Sequence, residues 1–232
     1  MRNIFACRNI FGCIGLFLLF TETPDAQEQM RYRDFELGSS LRTVAALTSA
    51  QPSQAKIIHQ RPAVIQELEW RPRYYSSNGA PASDPVAVVT FNFFNDQLFR
   101  IVIDYDRHRT AGMTESDLIE AVTNTYGQAS KPTAGMNATL PARYGVPDTP
   151  VAIWGDAENV VTLLRVAYPE TFRLVLAHTR LEHLARAAAV EAARLDVEEA
   201  PQRELARRKK EVDETDAARE KSRIENKAVF KP

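Results

Sequence analysis

VAVVTFNFFNDQLFRIVIDY, from Val86 to Tyr105, is the stretch that decides the fold. Val86–Phe94 is dense in β-branched and aromatic residues, Asn95-Asp96 is a two-residue turn signal, and Leu98–Tyr105 reads as the returning strand. The same pattern recurs 74 residues later, where Val160–Tyr168 turns at Pro169-Glu170 into Phe172–His178. A fixed offset of this kind is the mark of an internal duplication. It predicts that Leu98 and Ile101 correspond to Phe172 and Val175.

Each predicted hairpin is preceded by a strand ending in tryptophan, Ile65–Trp70 in the first copy and Val151–Trp154 in the second. Upstream of those strands, Gly38-Ser39-Ser40-Leu41 opens a short amphipathic helix through Val44, Ala45 and Leu47, with a serine able to cap it. In the second copy Gly112-Met113-Thr114-Glu115 opens the helix, Thr114 and Asp117 form a capping box, and Leu118, Ile119 and Val122 make the apolar stripe up to Tyr126-Gly127. Two tandem αβββ units follow, at about residues 36–105 and 112–178, with Arg31–Phe35 as a further edge strand. Three strands cannot bury an apolar face alone, so the units are expected to share or pack antiparallel sheets with the helices on one face. The fold class is α+β, in a domain spanning residues 27–178.

This αβββ order, with Gly-x-Ser/Thr before each helix, resembles that of the β-lactamase inhibitor protein and of BamE-like envelope lipoproteins over about residues 36–178. The resemblance implies a non-catalytic protein that binds other proteins through a sheet face or loops. The chain has no cysteine after its N-terminal apolar segment to match the lipidated member of that pair.

The ends of the chain differ from the middle. Arg2 and Arg8 precede an uncharged apolar run from Ile10 to Phe20, which is shorter than the ~20 residues of a membrane-spanning helix and matches the core of a signal peptide. Residues 1–26 are therefore expected to direct export to the periplasm or the exterior, with cleavage near Ala26. An uncleaved segment would be the chain's one contact with a membrane. Both cysteines, Cys7 and Cys13, lie in this segment, leaving the exported part without thiols or disulfides. From Thr179 onward glycine is absent, and Ala, Glu, Arg and Lys dominate. Residues 179–232 read as a charged helical tail, with one helix at Leu181–Glu199, an interruption at Pro201, and a second, solvated helix at Gln202–Lys227.

The chemistry-bearing residues form no constellation that specifies a reaction. No serine sits in a Gly-x-Ser-x-Gly elbow, and His59, His108, His178 and His183 lack metal-ligand spacing. Single glycines make no phosphate loop. No cofactor and no metal is expected. Lys and Arg total 29 against 30 Asp and Glu, so no basic field invites nucleic acid. Trp70-Arg71-Pro72-Arg73-Tyr74-Tyr75 combines the side chains enriched in binding hot spots, so Trp70, Arg71, Arg73, Tyr74 and Tyr75 are the candidate binding residues. The plainer reading has Trp70 as core at a strand end, Arg71 and Arg73 solvated, and the tyrosines packed over the sheet edge. Asn137-Ala138-Thr139 is a sequon only in a host that glycosylates.

Three functions fit: a non-catalytic exported protein binding another envelope or secreted macromolecule, a binder of small apolar ligands, or a hydrolase using carboxylates such as Asp104, Asp106 and Asp117. For the second, concave sheet faces hold apolar ligands, and Phe91, Phe93, Phe94, Phe99 and Tyr105 either line such a cavity or fill the core.

Overall fold

Ser40 and Thr114 mark where the chain leaves extended structure to start its two short helices. In the computed structural model, which describes residues 30–72, 84–132, 148–167 and 170–231, each closes the first turn with its own side chain. Ser40 Oγ accepts from Thr43 N ahead of α1 (Leu41–Thr48). Thr114 and Asp117 form a reciprocal capping box ahead of α2 (Glu115–Tyr126), and Gly127 ends that helix at φ +83°. The capping hydrogen bonds from Thr114 hold the Asp117 carboxyl below the ordinary carboxylate range.

The strands are β1 (Arg31–Tyr32), β2 (Phe35–Glu36), β3 (Lys56–His59), β4 (Ile65–Trp70), β5 (Val86–Phe94), β6 (Gln97–Tyr105), β7 (Thr149–Gly155), β8 (Asn159–Val166) and β9 (Thr171–His178). β1 and β2 make a separate two-stranded hairpin, whereas β3 to β9 form one antiparallel sheet in the order β3-β4-β5-β6-β9-β8-β7. The two units therefore meet through their last strands, with Val102 opposite Val175 near the middle of the seam.

Four features of the strands differ from the sequence reading. Arg31–Phe35 is a tight hairpin rather than an edge strand, because the chain reverses at Arg33 (φ +54°). Arg33 then holds the hairpin to the chain just before β5 through a two-pronged bond to Asp84, 2.8 Å on each prong. The first unit carries an extra strand, β3, paired outside β4. The hairpin turns are unequal: Phe94 pairs with Gln97, but Val166 pairs with Thr171, leaving four residues between.

The fourth difference is a bulge. Asn92 pairs with Arg100 while Phe93 pairs with Leu98, so Phe99 is the extra residue of β6. Ile101 therefore joins the same core as Leu98, whereas β9 continues regularly and puts Phe172 and Leu174 on that face. Val175 turns to the other face. A constant 74-residue correspondence fails there, since a one-residue slip exchanges the faces of a strand.

The main core lies between one face of the sheet and α1, α2 and the β1–β2 hairpin. It contains Phe91, Phe93 and Ile101 from the first unit, with Trp154, Leu163 and Leu176 from the second. Trp154 also donates from Nε1 to Thr123 Oγ1 of α2 at 3.1 Å, which ties β7 to that helix. Burial in this layer pushes the hydroxyls of Tyr105 and Tyr126 up to about 12.

The tail is a single helix, α3 (Thr179–Val229), 51 residues and about 77 Å long. Pro201 lies inside it. A proline removes one ladder hydrogen bond and crowds the preceding turn, which would favour a break. Here strong helix formers flank the site and carry the helix through, and Arg203 Nη2 reaches back over the proline to the Asp196 carbonyl at 2.7 Å and carboxylate at 3.0 Å, one residue before the Val197 carbonyl that loses its ladder donor. Leu181, Ala185, Ala188 and Ala192 are buried, and Leu181, Ala185 and Ala188 pack with Ile65 and Phe99 on the face opposite α1 and α2. The two short helices thus share one face of the sheet, as expected, and α3 covers part of the other. Beyond Pro201 no residue of α3 is buried, and short-range pairs such as Arg207 with Glu204, Lys210 with Glu214 and Arg223 with Glu220 run along it.

Candidate functional site

The β6 bulge has a consequence on the α3 side of the sheet: it turns two successive side chains, Phe99 and Arg100, toward the helix. Phe99 fills the small core under Leu181 and Ala185. The Arg100 guanidinium lies 5.6 Å from the centre of the Phe99 ring and bonds Glu182 of α3, which also accepts from Arg186 at 3.2 Å. Beside this cluster the sheet face is left uncovered by α3, and a groove of about 280 Å³ opens there.

The groove is built by alternation. Val102 of β6, Val175 and Ala177 of β9, and Val160, Thr162 and Leu164 of β8 point the same way and make an apolar floor three strands wide. Thr179, Glu182, His183 and Arg186 of α3 form one wall, with Arg100 beside them. At the other end, Arg173 is 6% exposed, and it donates from Nε to Asp104 at 2.6 Å and from Nη1 to Asp148 at 2.5 Å. Asp148, 3% exposed, stands just before β7, so this ionic group joins three segments of chain. A buried guanidinium between two carboxylates keeps each charge compensated, and removing one member would leave an uncompensated charge.

Two polar atoms near the α3 wall, Arg100 Nε and Thr179 Oγ1, are buried without a hydrogen-bond partner among the described residues. Groups of this kind are rare in folded proteins and call for an explanation. The groove therefore has an apolar middle, a donor-rich end at Arg100 and Thr179, and a closed ionic end at Arg173.

A second cavity of about 480 Å³ lies between the β1–β2 hairpin and the start of α3, bordered by Glu36, Ser39, Glu158 and His178. Its lining is mostly polar, and it lacks an apolar floor.

The described residues among those singled out for binding in the sequence, Trp70 and Arg71, line neither cavity. Trp70 is half-buried, its ring edge-on to Phe35 at 5.4 Å, so it belongs to the core at the end of β4. Arg71 is exposed and donates from Nε to the neighbouring Glu69 at 2.7 Å. Arg73, Tyr74 and Tyr75 lie outside the described residues, as do residues 1–26 and the sequon at Asn137. The aromatic run is distributed between the two cores, with Phe91 and Phe93 in one and Phe94 and Phe99 in the other.

The three carboxylates considered for hydrolysis are apart and engaged. Asp104 holds Arg173, Asp106 accepts from the backbone of His108 and Arg109, and Asp117 caps α2. Among the described residues no three His, Cys, Asp or Glu side chains are grouped to hold a metal ion. Among the same residues no helix is long and apolar enough to cross a membrane.

The groove residues carried a signal that went unread. Val160, Thr162 and Leu164 alternate with Val161 and Leu163, so β8 is apolar on both faces, the pattern of a strand buried on both sides. No protein-family model, curated protein or solved structure matches the chain.

Proposed function

We propose that the protein is a non-catalytic, exported binding protein whose ligand is a small apolar molecule held in the groove between the β6-β9-β8 face and α3. The observation that carries this reading is the groove itself: an apolar floor with convergent polar groups at its ends, the usual composition of a ligand site. Its size, just below the ~300–1,000 Å³ range of ordinary ligand pockets, points to a slender ligand. Export rests on the basic start and apolar run of residues 1–20. The paired helix-and-strand order of the two halves supports descent from a duplicated unit.

Titration with an environment-sensitive apolar dye such as Nile red tests the reading. The protein should enhance the dye's emission saturably, and Thr162→Phe, which fills the groove from a half-buried position on its floor, should remove the effect. Emission unchanged by Thr162→Phe would refute it.

A second reading, binding of another envelope or secreted macromolecule, draws on α3. Val197, Leu205 and Val212 are exposed on a helix whose distal half meets nothing else among the described residues. The αβββ pattern shared with the β-lactamase inhibitor protein and BamE-like proteins favours the same reading.

A further inference from the structure

The apolar-ligand reading leaves the ligand's polar end open, and the groove holds information about it. Of the three buried polar atoms without a partner among the described residues, His178 Nδ1 belongs to a side chain lining the other cavity, whereas Arg100 Nε and Thr179 Oγ1 belong to side chains that both line the groove on its α3 side. Nε is a donor only, and a hydroxyl can donate, so the atom that satisfies both is an acceptor. An acceptor beside a guanidinium is favoured when it is anionic, because charge-assisted hydrogen bonds are shorter and stronger than neutral ones.

The opposite end is different in kind. There a single guanidinium, Arg173, is enclosed by two carboxylates, Asp104 and Asp148, which would repel a second anion, whereas at the α3 end two guanidiniums, Arg100 and Arg186, share the one carboxylate of Glu182. Arg100 and Asp104 stand four residues apart on one face of β6, about 13 Å along the strand, with Val102 between them. A ligand lying along this track meets donors first, then apolar side chains, then a closed ionic wall.

We propose, building on the apolar-ligand reading, that the groove takes a linear amphiphile with a carboxylate head, a medium-chain fatty acid, with the head at Arg100 and Thr179 and the chain over Val102, Val175 and Thr162. The chain length is limited by the Arg173 group, since an alkyl end cannot displace a buried ion pair without leaving its charges uncompensated.

Calorimetric titration of the full chain with decanoate, decanol and decylamine tests both the site and the head group. Decanoate should bind about tenfold or more tightly than the other two, the worth of one charge-assisted hydrogen bond. Thr179→Val keeps the size of the side chain and removes its hydroxyl, and should lower decanoate affinity several-fold while leaving decanol unchanged. Arg100→Met should erase the preference for decanoate, with circular dichroism confirming that α3 is retained. Thr162→Phe should abolish all binding, which locates it in the groove rather than on the apolar N-terminal segment. Equal affinities for the three amphiphiles, a preference for decylamine, or a decanoate preference that survives both Arg100→Met and Thr179→Val would overturn the carboxylate assignment and leave the apolar-ligand reading standing. No binding by any of the three, or binding unaffected by Thr162→Phe, would overturn both.

Discussion

Cutting the chain after Ala200 and replacing Leu181 by alanine should have opposite consequences, although both changes fall on the same helix. Every α3 residue beyond Pro201 is at least partly exposed and only Glu204 is not fully so; Leu205 and Val212 are 67% and 57% exposed. Removing them uncovers almost no apolar surface. The ion pairs lost with them are local and solvated, and they support the helix they sit on rather than the domain. Leu181 is 5% exposed and fills the small core with Phe99 and Ile65. Its truncation to alanine should cost about 3 kcal/mol, toward the low end of the range for leucine because the helix start can relax into the space. For a domain of this size, ~1 kcal/mol moves the melting temperature by roughly 2–4 °C, so Leu181→Ala should lower it by roughly 6–12 °C. Thermal melts followed by circular dichroism separate the cases. The truncated chain should lose helical signal before any melting yet unfold within about 2 °C of the full chain. A drop of more than about 5 °C on truncation would mean that the distal helix is docked. A shift below about 2 °C for Leu181→Ala would mean that α3 does not share the domain's cooperative unit.

Three further outcomes follow from particular contacts and a fourth from the N-terminal sequence. Arg173→Met should destabilise the fold by about 3–5 kcal/mol, because it strands Asp104 and Asp148, and adding Asp148→Asn should recover part of that loss in a urea double-mutant cycle. Trp154→Phe removes the bond to Thr123 and leaves a void in the main core, for a cost of roughly 2 kcal/mol by urea denaturation. Arg33 holds the Asp84 carboxyl below its ordinary range, so this pair's stabilisation is present above the unfolded pKa of about 4 and is lost as pH falls through the lower folded value. Asp84→Asn should flatten that part of the acid stability profile, and an unchanged profile would refute the assignment. Residues 1–30 fused to a reporter active only outside the cytoplasm should give signal, and Leu18→Arg should abolish it.

The local elements were legible because their signals are local. Ile65–Trp70 and Val86–Phe94 run as the residue pattern predicts, and the capping residues Ser40 and Thr114 announce both short helices. Pro201 misled for a physical reason: a proline raises the cost of a helix without forbidding it, and the strong helix formers on both sides carry the helix through. Trp70 left two readings open because a strand-end aromatic next to arginines looks the same in sequence whether its ring faces solvent or Phe35.

The groove was the least legible part, and the bulge explains why. Its floor comes from three strands that are neighbours only because β6 pairs with β9, a contact between residues some 70 positions apart. Even with that pairing known, strict alternation from Leu98 would place Arg100 on the main-core face with Leu98, where an arginine would be buried among Phe93 and Ile101. The extra residue at Phe99 moves it to the other face, beside Glu182. With Phe99 in the sequence, the bulge therefore does two things: it keeps Ile101 and Ile103 in the main core, and it delivers a guanidinium to the one stretch of sheet that α3 leaves open. Deleting Phe99 would restore regular alternation with Leu98 and Ile101 still in the main core and Arg100 still on the groove face, and would remove only the ring that packs under Leu181 and Ala185.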